Sequence, residues 1–460
     1  MRAQSITRPD ASEDKLVIKR RVDGECLARS RTPANAAATS RRRHRTPPAR
    51  RECYKMTPQG SAAGRTPPKA AMPPAHPLHT SLTTQAAALL LLTLAGCSQS
   101  QPGTATWDPS AAAHYLDKRA NSWMHARAAS REHGTACLSC HTTVPYALVR
   151  GELGKKLNET SPAPVQRELL EMVRKRVALW PQLVPWYRDE KPESRGTEAV
   201  LNALVLVNAD APSGQLSATT RAALDNMWAL QRTEGPQTGS WPWINFDNEP
   251  WEAKDSVYYG ATLAALAIGL TPEGYRSRPD VQQRVSQMQD YLRREYHNQT
   301  LLNRLELLQV VGRYPDLIDP QAQASTLSEA SALQHADGGW SVASLIPNWK
   351  RHDGTLPPDT TDGYATGLIT VVLEESGVPA ADPRLSRSLA WLLENQSHWN
   401  GRWSAESPNR KRHSWSFAGP FMDDAATAIS VLALIRMERQ PVPPTATQNK
   451  TVAQTQTSSY

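Results

Sequence analysis

One segment decides the fold: Ala390-Trp-Leu-Leu-Glu-Asn-Gln396-Ser-His-Trp-Asn-Gly401-Arg-Trp403. Its first half is the end of an amphipathic helix, Gln396 follows the last apolar turn, and Gly401 and Trp403 lie in the loop beyond it. The segment therefore predicts an outer-face helix that ends near Gln396 and is followed by a loop that contains Gly and Trp.

The same arrangement recurs along the chain. Each copy joins an amphipathic helix that ends in Gln, a loop with Gly and Trp, and a second, apolar helix that opens with two small residues and Thr. The copies are Gln231 with Gly239 to Trp241 and Thr262, Gln334 with Gly338 to Trp340 and Thr366, and Gln396 with Gly401 to Trp403 and Thr427. A pair near 281–312 lacks the Gly-Trp mark, a degenerate copy contains Thr197, and a helix near 108–131 precedes a short one after Pro145. These segments predict an all-α fold of about six helix pairs.

The copies resemble the QW repeats of squalene-hopene cyclases and of the wider superfamily of terpenoid cyclases and protein prenyltransferases. The resemblance covers about residues 165–438. It implies an α/α toroid, in which a ring of inner helices lies within a ring of outer helices. It also implies that the Gln and Trp residues are structural.

Three aspartates are candidate catalytic residues. Phe421-Met-Asp423-Asp424-Ala-Ala-Thr427 is similar to the Asp-x-Asp-Asp-Thr-Ala motif whose middle Asp protonates squalene in the cyclases. The resemblance gives Asp423 that role, although Phe421 replaces the first Asp. Asp424 adjoins it, and Asp362 stands at the corresponding place before Thr366. Each of these carboxylates could instead cap a helix. With three Phe in the whole chain, a cavity that stabilises carbocations by cation–π contact is not expected.

The segment Cys137-Leu-Ser-Cys140-His141 matches the attachment pattern of a c-type haem. In that pattern two sulfurs form thioethers with the haem, and the adjacent imidazole binds the iron. We therefore predict one covalent haem c on Cys137, Cys140 and His141, with His141 as the metal ligand. A disulfide between the two cysteines is one alternative, and a zinc site completed by His133 is another. Candidates for a second axial ligand are Met124, His125, His133, His352 and His413.

The residues before the helical region indicate export. Residues 1–85 are rich in Arg, Pro, Ala, Ser and Thr and are expected to be disordered or to precede the true start codon. Residues 86–97 combine an apolar core, too short to span a bilayer, with Leu94-Ala95-Gly96-Cys97, which resembles a bacterial lipobox with Cys97 as the lipidated residue. Residues 98–106 are a polar linker, 107–438 the toroid, and 439–460 a disordered tail.

Charge follows the same division of the chain. The full sequence carries a net charge of +8, but residues 1–96 hold 17 Lys and Arg against 6 Asp and Glu. The remainder has 35 basic and 38 acidic residues, or a net charge of about −3. A nucleic-acid partner is therefore not expected.

Together these features predict a lipoprotein on the periplasmic face of the bacterial outer membrane. The leading hypothesis is a cytochrome c-like toroid whose haem serves electron transfer or redox chemistry on a bound ligand. Its partners would be the membrane, through the lipid anchor, a redox protein and an apolar small molecule. One alternative is a cyclase-like or lyase-like enzyme that acts through Asp423 on an isoprenoid-type substrate. Another is a non-catalytic binding scaffold.

Overall fold

A computed structural model describes residues 106–187 and 191–439. The predictions for the leader 1–85, for the segment 86–97 with Cys97, for most of the linker and for nearly all of the tail fall outside these residues. None of the described helices is both long and apolar enough to cross a membrane.

The described residues form fourteen α-helices and one small hairpin. The helices are α1 (Pro109–Met124), α2 (Thr143–Lys156), α3 (Pro164–Ala178), α4 (Lys191–Asp210), α5 (Ala218–Ala229), α6 (Ser256–Gly269), α7 (Glu273–Arg276), α8 (Pro279–Glu295), α9 (Leu301–Leu308), α10 (Pro320–Ala332), α11 (Val342–Leu345), α12 (Gly363–Glu375), α13 (Pro383–Glu394) and α14 (Phe421–Met437). The antiparallel hairpin pairs β1 (Ser130–Arg131) with β2 (Thr135–Ala136). The helix expected near 108–131 thus ends earlier, and the hairpin follows it.

Six helices form a closed inner ring. α2, α4, α6, α9, α12 and α14 contact one another in that order, and α14 returns to α2. The outer helices α1, α3, α5, α8, α10 and α13 pack against this ring. The short helices α7 and α11 lie in connections. This arrangement confirms the predicted all-α fold, an α/α toroid of six helix pairs.

The position of each helix follows its pattern of apolar residues. Helix α12 is buried over nearly all its residues, from Gly363 to Leu373, because it packs against inner neighbours on two sides and the outer ring on a third. Helix α13 buries a stripe that includes Leu385, Leu389 and Leu392 and exposes the rest. Inner helices are therefore apolar all round, whereas outer helices are amphipathic.

The Trp of each repeat caps the end of an outer helix. The indole N–H groups of Trp241, Trp340 and Trp403 donate to backbone carbonyls in the last turns of α5, α10 and α13, at 2.7, 2.7 and 2.8 Å. All three rings are fully buried. Each supplies a donor to a carbonyl in the last turn, where the regular pairing of the helix backbone ends.

The Gln of each repeat ties one outer helix to the next. Gln334 Nε2 donates to the carbonyls of Gly338 and Arg384, at 2.7 and 2.9 Å, and so joins α10 to α13. Gln396 makes the same pair of bonds to Gly401 and Asp108, each at 2.9 Å, and its Oε1 accepts from the Asp108 N–H at 2.6 Å. Because Asp108 precedes α1, Gln396 closes the outer ring.

The Thr of each repeat fastens a loop to an inner helix, but one copy differs from the expected pairing. Thr366 and Thr427 accept from the backbone N–H groups of Trp340 and Trp403, at 3.0 and 3.1 Å. The loop after Trp241 does not use Thr262 in this way. Its Ile244 N–H donates to Thr197 of the preceding inner helix, at 3.0 Å. The loop lies so close to α4 that a Cβ at Gly196 would stand 2.1 Å from a loop carbonyl.

Candidate functional site

A cavity of about 240 Å³ lies where the inner helices α2, α4, α6 and α14 begin. We call it the mouth cavity. Its walls combine aromatic rings with a few polar groups. The rings belong to Trp123, Trp186, Tyr187, Phe246, Trp251 and Phe421, and the polar groups include those of His141, Asn248, Glu249, Glu252, Asn409 and Arg412. Small-molecule sites combine apolar and aromatic walls with placed polar groups, and this cavity has both kinds of group.

Glu249 is a buried carboxyl group that keeps its proton at neutral pH. Burial, and then the charge of Asp255 beside it, raises the pKa of Glu249 to about 8. Burial also raises the pKa of Asp255, whose Oδ2 accepts from Asn303 Nδ2 at 3.0 Å. Among the described residues, no N–H group or hydroxyl donates to Glu249 Oε2. This is expected if Glu249 and Asp255 share one proton. Glu249 is therefore an acid in the wall of the mouth cavity, with Asp255 beside it.

The backbone around Glu249 is held from two sides. Asn409 accepts from the Glu249 N–H at 2.9 Å and donates to its carbonyl at 2.6 Å. Within the loop, Phe246 N–H donates to the Glu252 carbonyl at 2.7 Å, and Asn248 and Glu252 exchange backbone bonds of 3.1 and 2.9 Å. This folded-back loop brings Glu249 and Glu252 to the same cavity.

Glu252 contributes the second carboxyl group. It is half-buried. Burial, followed by the negative charge of Glu252, raises the pKa of the Cys140 thiol. At Tyr187, burial, Cys137 and then Glu252 raise the pKa of the phenol. The negative charge of Glu252 therefore contributes to the raised pKa values of two groups that line the mouth cavity, Cys140 and Tyr187.

A second cavity, of about 300 Å³, runs between the inner helices and is lined mainly by apolar side chains. Cys140 and Trp251 line both cavities and so stand between them. Below them, Tyr364 accepts from the Trp251 indole N–H at 3.1 Å and donates to Glu306. Burial raises the pKa of Glu306 to about 7. The interior of the ring thus holds a further carboxyl group, Glu306, whose pKa lies near neutral pH.

The Cys-x-x-Cys-His segment lies between α1 and α2, on the rim where the mouth cavity opens. Both cysteines are free thiols with 2% of their surface exposed. Burial raises the pKa of Cys137 to about 11. The Cys137 carbonyl accepts from the Trp123 indole N–H at 2.7 Å. The segment is therefore packed into the wall of the ring.

This packing corrects the prediction of a haem protein. The His141 ring stacks on Phe421, with 3.7 Å between centroids, and meets the edge of Trp123 at 4.8 Å. A cavity of about 240 Å³ is below the roughly 300–1,000 Å³ of drug-sized sites, so a porphyrin beside this ring and both buried thiols does not fit. None of the five candidates for a second axial ligand lines the cavity. The cytochrome-like and redox function predicted from the motif was wrong.

The alternatives for the two cysteines also differ from the structure. The thiols are not joined in a disulfide. His133 is exposed in a turn, and the described residues contain no group of three or more His, Cys, Asp or Glu side chains arranged to hold a metal ion. The metal-binding prediction is therefore not supported.

The three predicted aspartates are held by other protein groups. Asp362 is the N-cap of α12 and accepts from the backbone N–H groups of Val342, Tyr364 and Ala365, at 2.6, 2.9 and 2.9 Å. Burial nevertheless raises its pKa to about 7. Asp423 accepts from the Ala405 N–H at 2.9 Å, and burial raises its pKa to about 6. Neither side chain lines the mouth cavity.

Asp424 is the centre of a buried network. Arg119 donates to both of its oxygens, at 2.8 and 3.0 Å. The hydroxyls of Tyr115 and Thr142 donate to it at 2.8 and 2.6 Å. These contacts join α1, α14 and the start of α2, and through Thr142 they reach His141.

The sequence-based prediction did not include Glu249, Glu252 or Asp255. Their signal is present in Asp247-Asn-Glu249-Pro-Trp-Glu252-Ala-Lys-Asp255, an acid-rich loop that immediately precedes an inner helix. The repeat does not mark them. The position four residues before the repeat Thr is Asp362 at α12 and Asp423 at α14, but at α6 it is Tyr258.

Comparison with known proteins gives limited likenesses. No model of a protein family matches the chain. The squalene–hopene cyclase of Alicyclobacillus acidocaldarius is 30% identical over 106 residues, which make up 22% of this chain and 14% of that protein. The chain therefore matches about one seventh of the length of this curated relative.

Among solved structures, similarity is found to glycosidases at low sequence identity and with TM-scores below 0.5. The GH76A alpha-1,6-mannanase from Salegentibacter sp. HEL1_6 has a TM-score of 0.43 and 11% identity, over 71% of this chain and all of that chain. Its inactive variant in complex with alpha-1,6-mannotriose gives 0.44 and 11% over the same shares. A structure described as a glycosidase gives 0.39 and 12%, over 71% of this chain and 97% of that one.

These findings correct the expected membership of the cyclase superfamily. The likeness to the cyclase is confined to about a fifth of this chain and about one seventh of that protein, and no model of a protein family matches the chain. The QW-type repeat therefore describes how the toroid is built and does not identify the family.

Proposed function

We propose that the protein is a glycoside hydrolase whose active site is the mouth cavity. Cleavage of a glycosidic bond generally uses two carboxyl groups. One is protonated and gives its proton to the departing oxygen, and the other is ionised and either attacks the sugar carbon or activates a water molecule. Glu249 supplies the first group and Glu252 the second. The observation that supports the proposal best is the buried, protonated Glu249 in an aromatic cavity that Glu252 also lines.

The proton on Glu249 suits general acid catalysis. An acid works best when its pKa lies near the working pH, because it is then protonated yet still able to release the proton. Burial raises the pKa of Glu249 to about 8, so the group is protonated in neutral solution. Asp255 accepts a hydrogen bond from the protonated Glu249, and Asn409 holds the backbone of Glu249.

The other walls suit a sugar ring. Trp251 and Phe246 offer apolar faces, while Asn248 and Arg412 offer hydrogen-bonding groups at the same cavity. A sugar has apolar C–H faces and a polar rim of hydroxyls, so it needs both kinds of contact. The volume of about 240 Å³ is below that of drug-sized sites, so the bound group must be small, such as a single sugar ring.

The test compares substrates that differ in their leaving group. Alkyl glycosides and oligosaccharides need a proton on the departing oxygen, whereas 2,4-dinitrophenyl glycosides do not, because dinitrophenolate leaves unaided. Glu249→Gln is therefore expected to lower kcat/KM by about 10²- to 10⁴-fold on alkyl glycosides and to retain most activity on dinitrophenyl glycosides. Glu252→Gln is expected to lose activity on both, since its role does not depend on the leaving group.

Asp247→Asn is the control. Asp247 is an exposed carboxylate of the same loop, and its replacement is expected to leave both activities unchanged. Absence of hydrolysis across a panel of glycosides by the unmodified chain would contradict the proposal. Equal loss on both substrate types in Glu249→Gln would remove the acid role from this residue.

A further inference from the structure

We infer that His141 is a substrate-binding residue whose Nε2 accepts a hydrogen bond from one hydroxyl group of a sugar ring in the mouth cavity. The inference rests on the proposed function and refines it, because it makes that hydroxyl a determinant of substrate specificity. It concerns binding alone and involves no covalent step.

The hydrogen-bond network assigns the proton on the imidazole. His141 Nδ1 lies 2.7 Å from Thr142 Oγ1, and that hydroxyl donates to Asp424 at 2.6 Å. A threonine hydroxyl has one hydrogen, so Thr142 must accept from His141. Nδ1 therefore carries the proton, and Nε2 holds a lone pair.

Asp424 cannot reverse this direction. Its two oxygens face the hydroxyls of Tyr115 and Thr142 and two nitrogens of Arg119. Arg119 donates to both oxygens and supplies the balancing positive charge, so Asp424 stays ionised and accepts from Thr142, although burial raises its pKa. Thr142 and Asp424 are thus positioning residues for the imidazole.

Neighbouring rings hold the imidazole in this orientation. It stacks on Phe421 with an interplanar angle of 16° and meets Trp123 at 86°. The imidazole lines the mouth cavity, and Nδ1 is occupied by Thr142. Nε2 is therefore the ring nitrogen that a molecule in the cavity can reach.

The charge state of the ring supports an acceptor role. Burial, and then the positive charges of Arg119 and Arg412, lowers the pKa of His141 to about 3. The imidazole stays neutral in ordinary buffers, so Nε2 does not become a donor. A hydroxyl group satisfies this lone pair, whereas a deoxy sugar leaves it unpaired at a desolvated site.

The first experiment reads the tautomer by ¹⁵N NMR of histidine-labelled full-length protein, in which His141→Phe identifies the resonance by its loss. We expect a protonated Nδ1 and a bare Nε2 in the wild type and in Thr142→Ser. In Thr142→Val the preference for a proton on Nδ1 should disappear. Thr143→Val, which removes a neighbouring buried hydroxyl that bonds to Ser139, should leave it intact. A proton on Nε2 in the wild type would overturn the inference.

The second experiment measures recognition of the hydroxyl. Glucose, mannose and galactose are titrated into the labelled protein, and the Nε2 resonance is expected to shift with at least one of them. For the 4-nitrophenyl glycoside hydrolysed fastest, one of its monodeoxy analogues should lose about 10- to 100-fold in kcat/KM. His141→Phe, which keeps a stacked ring, should abolish that difference.

The outcomes separate the inference from the proposed function. A shift of Nε2 with a free sugar but no hydrolysis would retain His141 as a sugar-binding residue and reject the hydrolase. Hydrolysis with unchanged discrimination in His141→Phe would retain the hydrolase and reject the role of His141. An Nε2 resonance that none of the three sugars moves, together with no deoxy analogue that loses activity, would also reject it.

Discussion

Replacing Glu249 with Gln is expected to change how the stability of the toroid depends on pH. In the folded protein Glu249 keeps its proton up to a pKa of about 8, compared with an ordinary value of 4.5. Between these pH values the folded state binds more protons than the unfolded state, so the free energy of unfolding falls as pH rises. A Gln amide can donate to Asp255 as the protonated acid does, but it cannot lose a proton.

The size of the effect follows from the shift. A difference of about 3.5 pKa units at about 1.4 kcal/mol per unit sets an upper limit near 5 kcal/mol. Asp255 takes part in the same titration, so we expect about 3 to 5 kcal/mol. The stabilising contribution is complete below pH 4.5 and is lost once the pH exceeds about 8. Relative to wild type, Glu249→Gln should thus be near neutral at pH 5 and stabilised at pH 8.5.

Urea unfolding followed by tryptophan fluorescence measures this difference, because the toroid contains every one of the 14 Trp residues. The free energies of unfolding of wild type and Glu249→Gln are compared from pH 4.5 to 8.5. Asp247→Asn, an exposed change in the same loop, should run parallel to wild type. Parallel curves for Glu249→Gln as well would refute the shared proton.

Three further predictions concern the ring and the thiols. Gln396→Ala removes three hydrogen bonds at the closure of the outer ring and should cost about 3 kcal/mol, or roughly 4 °C in Tm for a toroid of this length. Trp399→Ala, at a side chain that is 97% exposed in the same loop, should leave Tm unchanged. Gly401→Ala should lower Tm at least as much, because φ is +74° and the added Cβ would lie 2.3 Å from the backbone of α1. A Tm equal to that of wild type would contradict the close packing of this loop against α1. Iodoacetamide should leave Cys137 and Cys140 unmodified in the folded protein and alkylate both after denaturation, as peptide mass spectrometry can show; rapid alkylation of either folded thiol would contradict their burial.

The architecture could be predicted from the sequence because several contacts within each repeat are short in sequence. Gln334 bonds to Gly338 and Trp340 to Ala330. The residues that join an outer helix to its loop therefore lie within the same repeat. The apolar pattern of a segment such as α12 shows on how many sides it is covered. These local signals suffice for six pairs, and a closed ring is the arrangement that buries the inner helices.

The candidate site depended on contacts that no local pattern contains. Asn409 holds Glu249 across 160 residues, and Thr142 meets Asp424 across 282. The Cys-x-x-Cys-His spacing shows that two thiols and an imidazole can face one haem. Whether a haem can reach them depends on how far the folded chain exposes the thiols. Closure of the ring packs Phe421 against His141 and buries both thiols. It also places Glu249 beside Asp255 away from water, and that desolvation, which depends on the whole fold, keeps the proton on the acid.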